Sequence, residues 1–195
     1  MLYHKDYKIN YWLPPRCGTH TTLDFLLKLG FERSDNYHDL ILFDDSWDLV
    51  LNTRNPYSMY VSHFFHTYQE NNSSFELFLK NKFPESYHRR IETIWDVGIT
   101  LKKLDIKPKK IIRLENFIDD LLSLDFIKDN LDYLGDPIEF LRLGKTPHQT
   151  NYPDICKNPY SSFYNQELAD IVWERKKYSF ELLGYDRDSW KTIID

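Results

Sequence analysis

The sequence predicts an α/β layered fold with a mainly parallel central sheet. Three observations carry that expectation. Short β-prone runs alternate with helical patterns along the whole chain. The first two clear runs close on turn chemistry, Pro14-Pro15 and Asn55-Pro56. The length, 195 residues without repeat, low-complexity tract or Gly/Ser-rich linker, suits one domain that buries its own core without a disulfide or metal staple.

The elements follow in order. Lys8 to Leu13 is a β-prone run stopped by the prolines. After Gly18, Leu23, Leu26 and Leu27 share a helical face and Gly30 is a stop. Asp39 to Phe43 is a short apolar run, and Trp47 to Thr53 is a better strand. A helix is expected from Tyr57 through Tyr68, and Ser74 as the cap of a short helix with Leu77 and Phe78 inside. Ile91, Ile94, Trp95, Gly98 and Leu101 recur at helical spacing and predict a helix over Ser86 to Leu104, with Ile91, Ile94 and Trp95 as core. Lys109 to Leu114 reads as a strand and Phe117 to Leu134 as mostly helical. Asp136 to Pro159, rich in Pro, Gly, Asn and Thr, reads as a long loop, and Gln166 to Leu183 as a last helix stopped by Gly184.

Composition narrows the function. Hydrophobic residues make up 42 % and charged residues 28 %, both globular values, which exclude a disordered or fibrous chain. A net charge of −5 argues against a broad nucleic-acid-binding surface but not against one local anion site. The two cysteines, Cys17 and Cys156, make no disulfide framework, and no Cys/His spacing reads as a metal site. No apolar run approaches membrane-spanning length and the N-terminus has no apolar leader core, so a cytoplasmic location is expected.

In an α/β sheet the first strand-to-helix turn is the usual phosphate cradle. Here that turn is Pro14-Pro15-Arg16-Cys17-Gly18-Thr19-His20-Thr21-Thr22. A helix N-terminus offers unpaired N–H groups and the positive end of its dipole. Gly18 lets the backbone approach an oxyanion, Thr19, Thr21 and Thr22 offer hydroxyls, and Arg16 brings a forked cation. An ordinary strand–helix loop with threonine caps accounts for the same residues. The turn is no Walker A loop, since it lacks the second glycine and the lysine. At the next strand end stands Arg54-Asn55-Pro56, and a helix after it brings Ser62 back toward Arg54, a possible second anion site. Taken alone, Arg54 and Ser62 read equally as a strand-end cap and a helix-face serine.

Together the two motifs resemble the sulfotransferases that use 3′-phosphoadenosine 5′-phosphosulfate. That family has Pro-Lys/Arg-x-Gly-Thr/Ser between a strand and a helix, matched by Pro15-Arg16-Cys17-Gly18-Thr19. It then has Arg-Asn/Asp-Pro with a serine eight residues after the arginine, matched by Arg54-Asn55-Pro56 and Ser62. Ile111 to Phe117 resembles a later family strand, and Tyr178 to Tyr185 its closing helix. The resemblance implies a P-loop nucleotide-hydrolase-like three-layer sandwich and a metal-free transfer of a sulfuryl group to a hydroxyl or amine. It implies that residues 16–22 hold the 5′-phosphosulfate, and that Arg54 and Ser62 hold the 3′-phosphate. The loop carrying Lys145 falls where members close over the cosubstrate, although its residues do not match the family's basic-glycine motif.

The same resemblance places the general base between the first helix and the second motif, an interval that offers His38. His20, inside the turn, is the next candidate, as base or as a donor to the phosphosulfate. Glu32 and Asp39 remain open, and His63 and His66 belong more naturally to a helix face or the acceptor rim. The aromatics Tyr57, Tyr60, Phe64, Phe65 and Tyr68 read as core before they read as an acceptor pocket. The acceptor is expected to be a small molecule or a neutral glycan. Two other readings stay open: a magnesium- and ATP-dependent kinase of the same fold, and a non-catalytic nucleotide- or partner-binding protein.

Overall fold

A computed structural model describes residues 1–35, 38–71, 74–80, 96–130 and 158–193. The backbone contacts group the chain into two compact units. The first is Met1–Thr53 with Lys107–Pro147, and the second is Arg54–Ile106 with His148–Asp195.

All the described strands lie in the first unit: β1 (Leu2–His4), β2 (Ile9–Trp12), β3 (Glu32–Arg33), β4 (Asp48–Thr53) and β5 (Lys110–Arg113). Their order in the sheet is β3-β1-β2-β4-β5. β2 and β5 flank β4 in parallel, with Trp12 opposite Leu51 and Thr53 opposite Arg113. β1 pairs antiparallel with both β2 and β3. The sheet is therefore mixed, which corrects the expectation of a mainly parallel one. The cause is a hairpin: His4 pairs with Ile9, and Lys8 at φ 53° turns the chain back between them.

Helix α1 (Thr19–Lys28) starts at Gly18 and stops at Gly30, whose φ of 84° ends it where expected. Its Leu23, Phe25 and Leu26 pack with Ile9, Tyr11, Leu13, Val50 and Ile112 from the sheet. Two short helices, α5 (Phe117–Leu122) and α6 (Asp125–Lys128), add Leu121, Phe126 and Ile127 to the same core. Each such side chain contributes about 1.5–3 kcal/mol by leaving water.

The described part of the second unit is helical: α2 (Pro56–Asn71), α3 (Phe75–Leu79), α4 (Val97–Leu104) and α7 (Gln166–Leu183), with 3₁₀ turns at Tyr160–Phe163 and Ser189–Thr192. Ser74 caps α3 through the Leu77 N–H, as expected, while Asn165 caps α7 and Gly184 ends it at φ 71°. The core is aromatic, with Tyr57, Phe64, Phe75, Phe78, Tyr164 and Phe180 among its buried members. Tyr57, Tyr60, Phe64 and Phe65 are thus core residues. The helix expected over Ser86 to Leu104 has an N-terminus at Asp96, whose extended backbone and side-chain bond to the Ile99 N–H begin α4. Ile91, Ile94 and Trp95, like Lys145 and most of the loop expected over 136–159, lie outside the described residues.

Candidate functional site

The turn between β2 and α1 has an unusual backbone. φ is positive at Arg16 (65°) and at Gly18 (72°), with Cys17 between them at negative φ. Successive residues of alternating hand converge their N–H groups on a concave point, the arrangement that binds anions. No side chain caps α1, and no acid sits in its first turn. The positive end of the helix is therefore not neutralised by a carboxylate of its own. Gly18 is favoured by hand, at φ 72°; a Cβ there would stand 2.8 Å from Leu114 Cδ1, the movable end of a side chain.

The turn is braced from the sheet by Asn52 on β4. Its Nδ2 donates to the Cys17 carbonyl at 2.9 Å and to Thr22 Oγ1 at 2.8 Å. Its Oδ1 accepts from the Tyr11 hydroxyl at 2.7 Å. Burial, with a smaller push from Asp120, raises the Tyr11 pKa well above its ordinary value, so that hydroxyl stays a donor. Asn52 is an amide in an otherwise apolar buried strand, Leu49-Val50-Leu51, and this polar interruption was the sequence signal for it.

Two of the expected hydroxyl donors are engaged within the turn itself. Thr19 Oγ1 donates to the Pro14 carbonyl at 2.9 Å and Thr22 Oγ1 to the Gly18 carbonyl at 2.9 Å. Both threonines and Cys17 are buried. Their side chains build the wall of the turn. Arg16 and Thr21 are half-buried and His20, in the first turn of α1, is exposed.

His38 is tied to the end of β2. Its Nδ1 lies 3.0 Å from the Leu13 carbonyl, and its own carbonyl accepts from Trp12 Nε1 at 2.7 Å. The same loop is held further down the strand by Asn10. That side chain donates to the Asp44 carbonyl at 2.7 Å and accepts from the Phe43 N–H at 2.9 Å. Alternate residues of β2, Asn10 and Trp12, thus pin the loop that carries His38, and Leu13 immediately precedes the turn before α1. Of the other candidates, Glu32 sits in β3 and engages Lys5 and Tyr3, while Asp39 is exposed.

In the second unit, Arg54 is the first residue after β4 and is half-buried. Its Nε donates to Ser58 Oγ at 2.9 Å, and its guanidinium lies 5.2 Å from the Tyr160 ring centre. Ser58 in turn donates to the Asn55 carbonyl. Ser62, one helical turn beyond Ser58, is buried, and so is His63. Sequence reading missed Ser58 and Tyr160, which orient Arg54; the position of Ser58, four residues on, was a usable signal.

Among the described residues, no cluster of three His, Cys, Asp or Glu side chains suits a metal ion. No helix among them is long and apolar enough to cross a membrane. Compared with protein-family models, with curated proteins and with solved structures, the chain matches none of them.

Proposed function

We propose that the protein is a sulfotransferase that moves a sulfuryl group from 3′-phosphoadenosine 5′-phosphosulfate to a hydroxyl or amine acceptor. The observation that carries this reading is the turn after β2: alternating backbone hand at residues 16–18, an uncapped α1 without a first-turn acid, and the Asn52 brace. This is an oxyanion cradle with a cation, Arg16, beside it. The motif order quoted above adds the choice of donor.

In the proposed reaction the turn binds the 5′-phosphosulfate and Arg54, with Ser62, the 3′-phosphate. The acceptor oxygen or nitrogen attacks sulfur, and the bond from sulfur to the bridging oxygen of the 5′-phosphate breaks. The acceptor's proton passes to His38 Nε2, and adenosine 3′,5′-bisphosphate leaves with the negative charge that Arg16 and the turn's N–H groups stabilise. A guanidinium is no proton donor in proteins, so Arg16 acts through charge alone. His20 is placed to donate to the phosphosulfate, and Lys145 is the remaining candidate contact.

A calorimetric titration with adenosine 3′,5′-bisphosphate, beside one with ATP and magnesium, tests the reading. Micromolar binding of the bisphosphate is expected, with at least about tenfold weaker binding by Arg54→Ala, which removes a charge-assisted contact. No binding of the bisphosphate at high micromolar concentration overturns the proposal, and binding of ATP with magnesium alone replaces it by a kinase.

A further inference from the structure

We infer that Trp12 is a positioning residue for His38, and that the Leu13 carbonyl fixes which nitrogen of that ring takes a proton. The inference deepens the proposed function and rests on its reading of His38 as the base. A backbone carbonyl only accepts. The 3.0 Å contact from His38 Nδ1 to the Leu13 oxygen therefore requires the proton on Nδ1. The neutral ring then carries its lone pair on Nε2, the state a general base needs.

This bond holds the ring but leaves the backbone of residue 38 to swing. Trp12 removes that freedom. Its indole N–H donates to the His38 carbonyl at 2.7 Å, from a side chain only 2 % exposed. Trp12 and Leu13 are consecutive, so one grips the backbone of residue 38 while the other grips its ring. Two bonds from adjacent residues at a strand end define both the place and the orientation of the imidazole. Asn10, one side-chain repeat down the same face of β2, stops the loop from sliding along the strand. Because Leu13 leads straight into the anion turn, the sheet sets base and cradle from one strand end. Trp12 reaches the chemistry only through His38, which makes it a positioning residue and not a catalytic one.

The test reads the ring directly. Long-range ¹H–¹⁵N correlation spectra of the whole protein are recorded near pH 9, where ordinary imidazoles are neutral, and the His38 signals are assigned by their loss in His38→Asn. The expected pattern is a protonated Nδ1 and a pyridine-like Nε2. A predominant Nε2–H tautomer, or an averaged pair, overturns the role of Leu13. The Trp12 indole N–H should exchange slowly with solvent, and exchange at the rate of a free indole overturns the bond to His38. Trp12→Phe keeps the ring and deletes the donor. It should bring the two His38 nitrogens toward averaging and lower turnover about tenfold or more, within the ~10²–10⁴-fold a placed base supplies. Its affinity for adenosine 3′,5′-bisphosphate should stay within about twofold. A Trp12→Phe protein with the parent His38 pattern overturns the positioning role. If the bisphosphate fails to bind while the nitrogen pattern holds, the cosubstrate reading falls and the positioning stands.

Discussion

The two units bury polar groups for different ends. In the first, Asn10, Tyr11, Thr19, Thr22 and Asn52 are buried and each is spent on a loop: the turn between β2 and α1 or the loop of His38. In the second, the chief buried polar cluster joins helix to helix. Lys176 Nζ lies 3.0 Å from Asp96 Oδ2, and Ser179 Oγ donates to Asp96 Oδ1 at 2.7 Å. Gly98 permits the close packing of α4 on α7, since a Cβ there would meet the Ser179 backbone at 2.6 Å. The rest of that unit is carried by rings packed edge to face, such as Phe75 against Tyr164 at 5.2 Å. Polar burial in the first unit specifies where irregular backbone goes; in the second it locks regular elements that aromatic packing already drives together.

The comparison can be broken most forcefully at the ion pair. Lys176→Met leaves Asp96 charged and buried, and should cost about 3–5 kcal/mol by urea unfolding. A loss under about 1 kcal/mol would mean the pair is dispensable to the helical unit. Asn52→Leu should cost about 2–3 kcal/mol, because it orphans the Tyr11 hydroxyl and takes a donor from the Cys17 carbonyl. Its affinity for adenosine 3′,5′-bisphosphate should fall at least about tenfold, whereas a loop built by packing alone would keep that affinity. Gly18→Ala should cost about 1–2 kcal/mol from the left-handed backbone alone, read as a fall in melting temperature.

The smallest effect is alkaline. Burial raises the pKa of Tyr57 to about 12, and those of Tyr11 and Tyr164 well above the ordinary value. Unfolded tyrosines ionise near 10. Folded values raised above unfolded ones mean that the stability is complete below about pH 10 and is lost as pH rises toward 12. Urea midpoints measured over that range should fall, and Tyr57→Phe should flatten the slope by one proton. A slope identical to the parent's would remove Tyr57 from that account.

The sequence made the parallel half of the sheet legible. β2, β4 and β5 each fall within the expected runs, and α7 has the expected bounds because Asn165 and Gly184 mark its ends. β1 and β3 were not legible. They are three and two residues long, too short for a period to register; β1 joins β2 through a hairpin whose turn residue, Lys8, carries no turn signature, and β3 pairs with β1 from far along the chain. The break at Asp96 was hidden because the apolar spacing continues past it, while the side chain caps a new helix there. At the turn, composition showed the strand-to-helix connection but not the direction of its side chains. Thr19 and Thr22 face inward because carbonyls at Pro14 and Gly18 need donors once buried, which only the fold reveals. The grip of Trp12 and Leu13 on His38 spans 25 residues or more and has no local spacing to betray it.

Arg16 stands at φ 65°, where an L-residue is sterically disfavoured and glycine is at ease. A glycine in its place would relax the turn and at the same stroke remove the guanidinium. The chain therefore stands off its own stability optimum at the very residue assigned to the leaving group. In that sense the position is frustrated, and selection for thermal robustness alone would be expected to replace Arg16 there first.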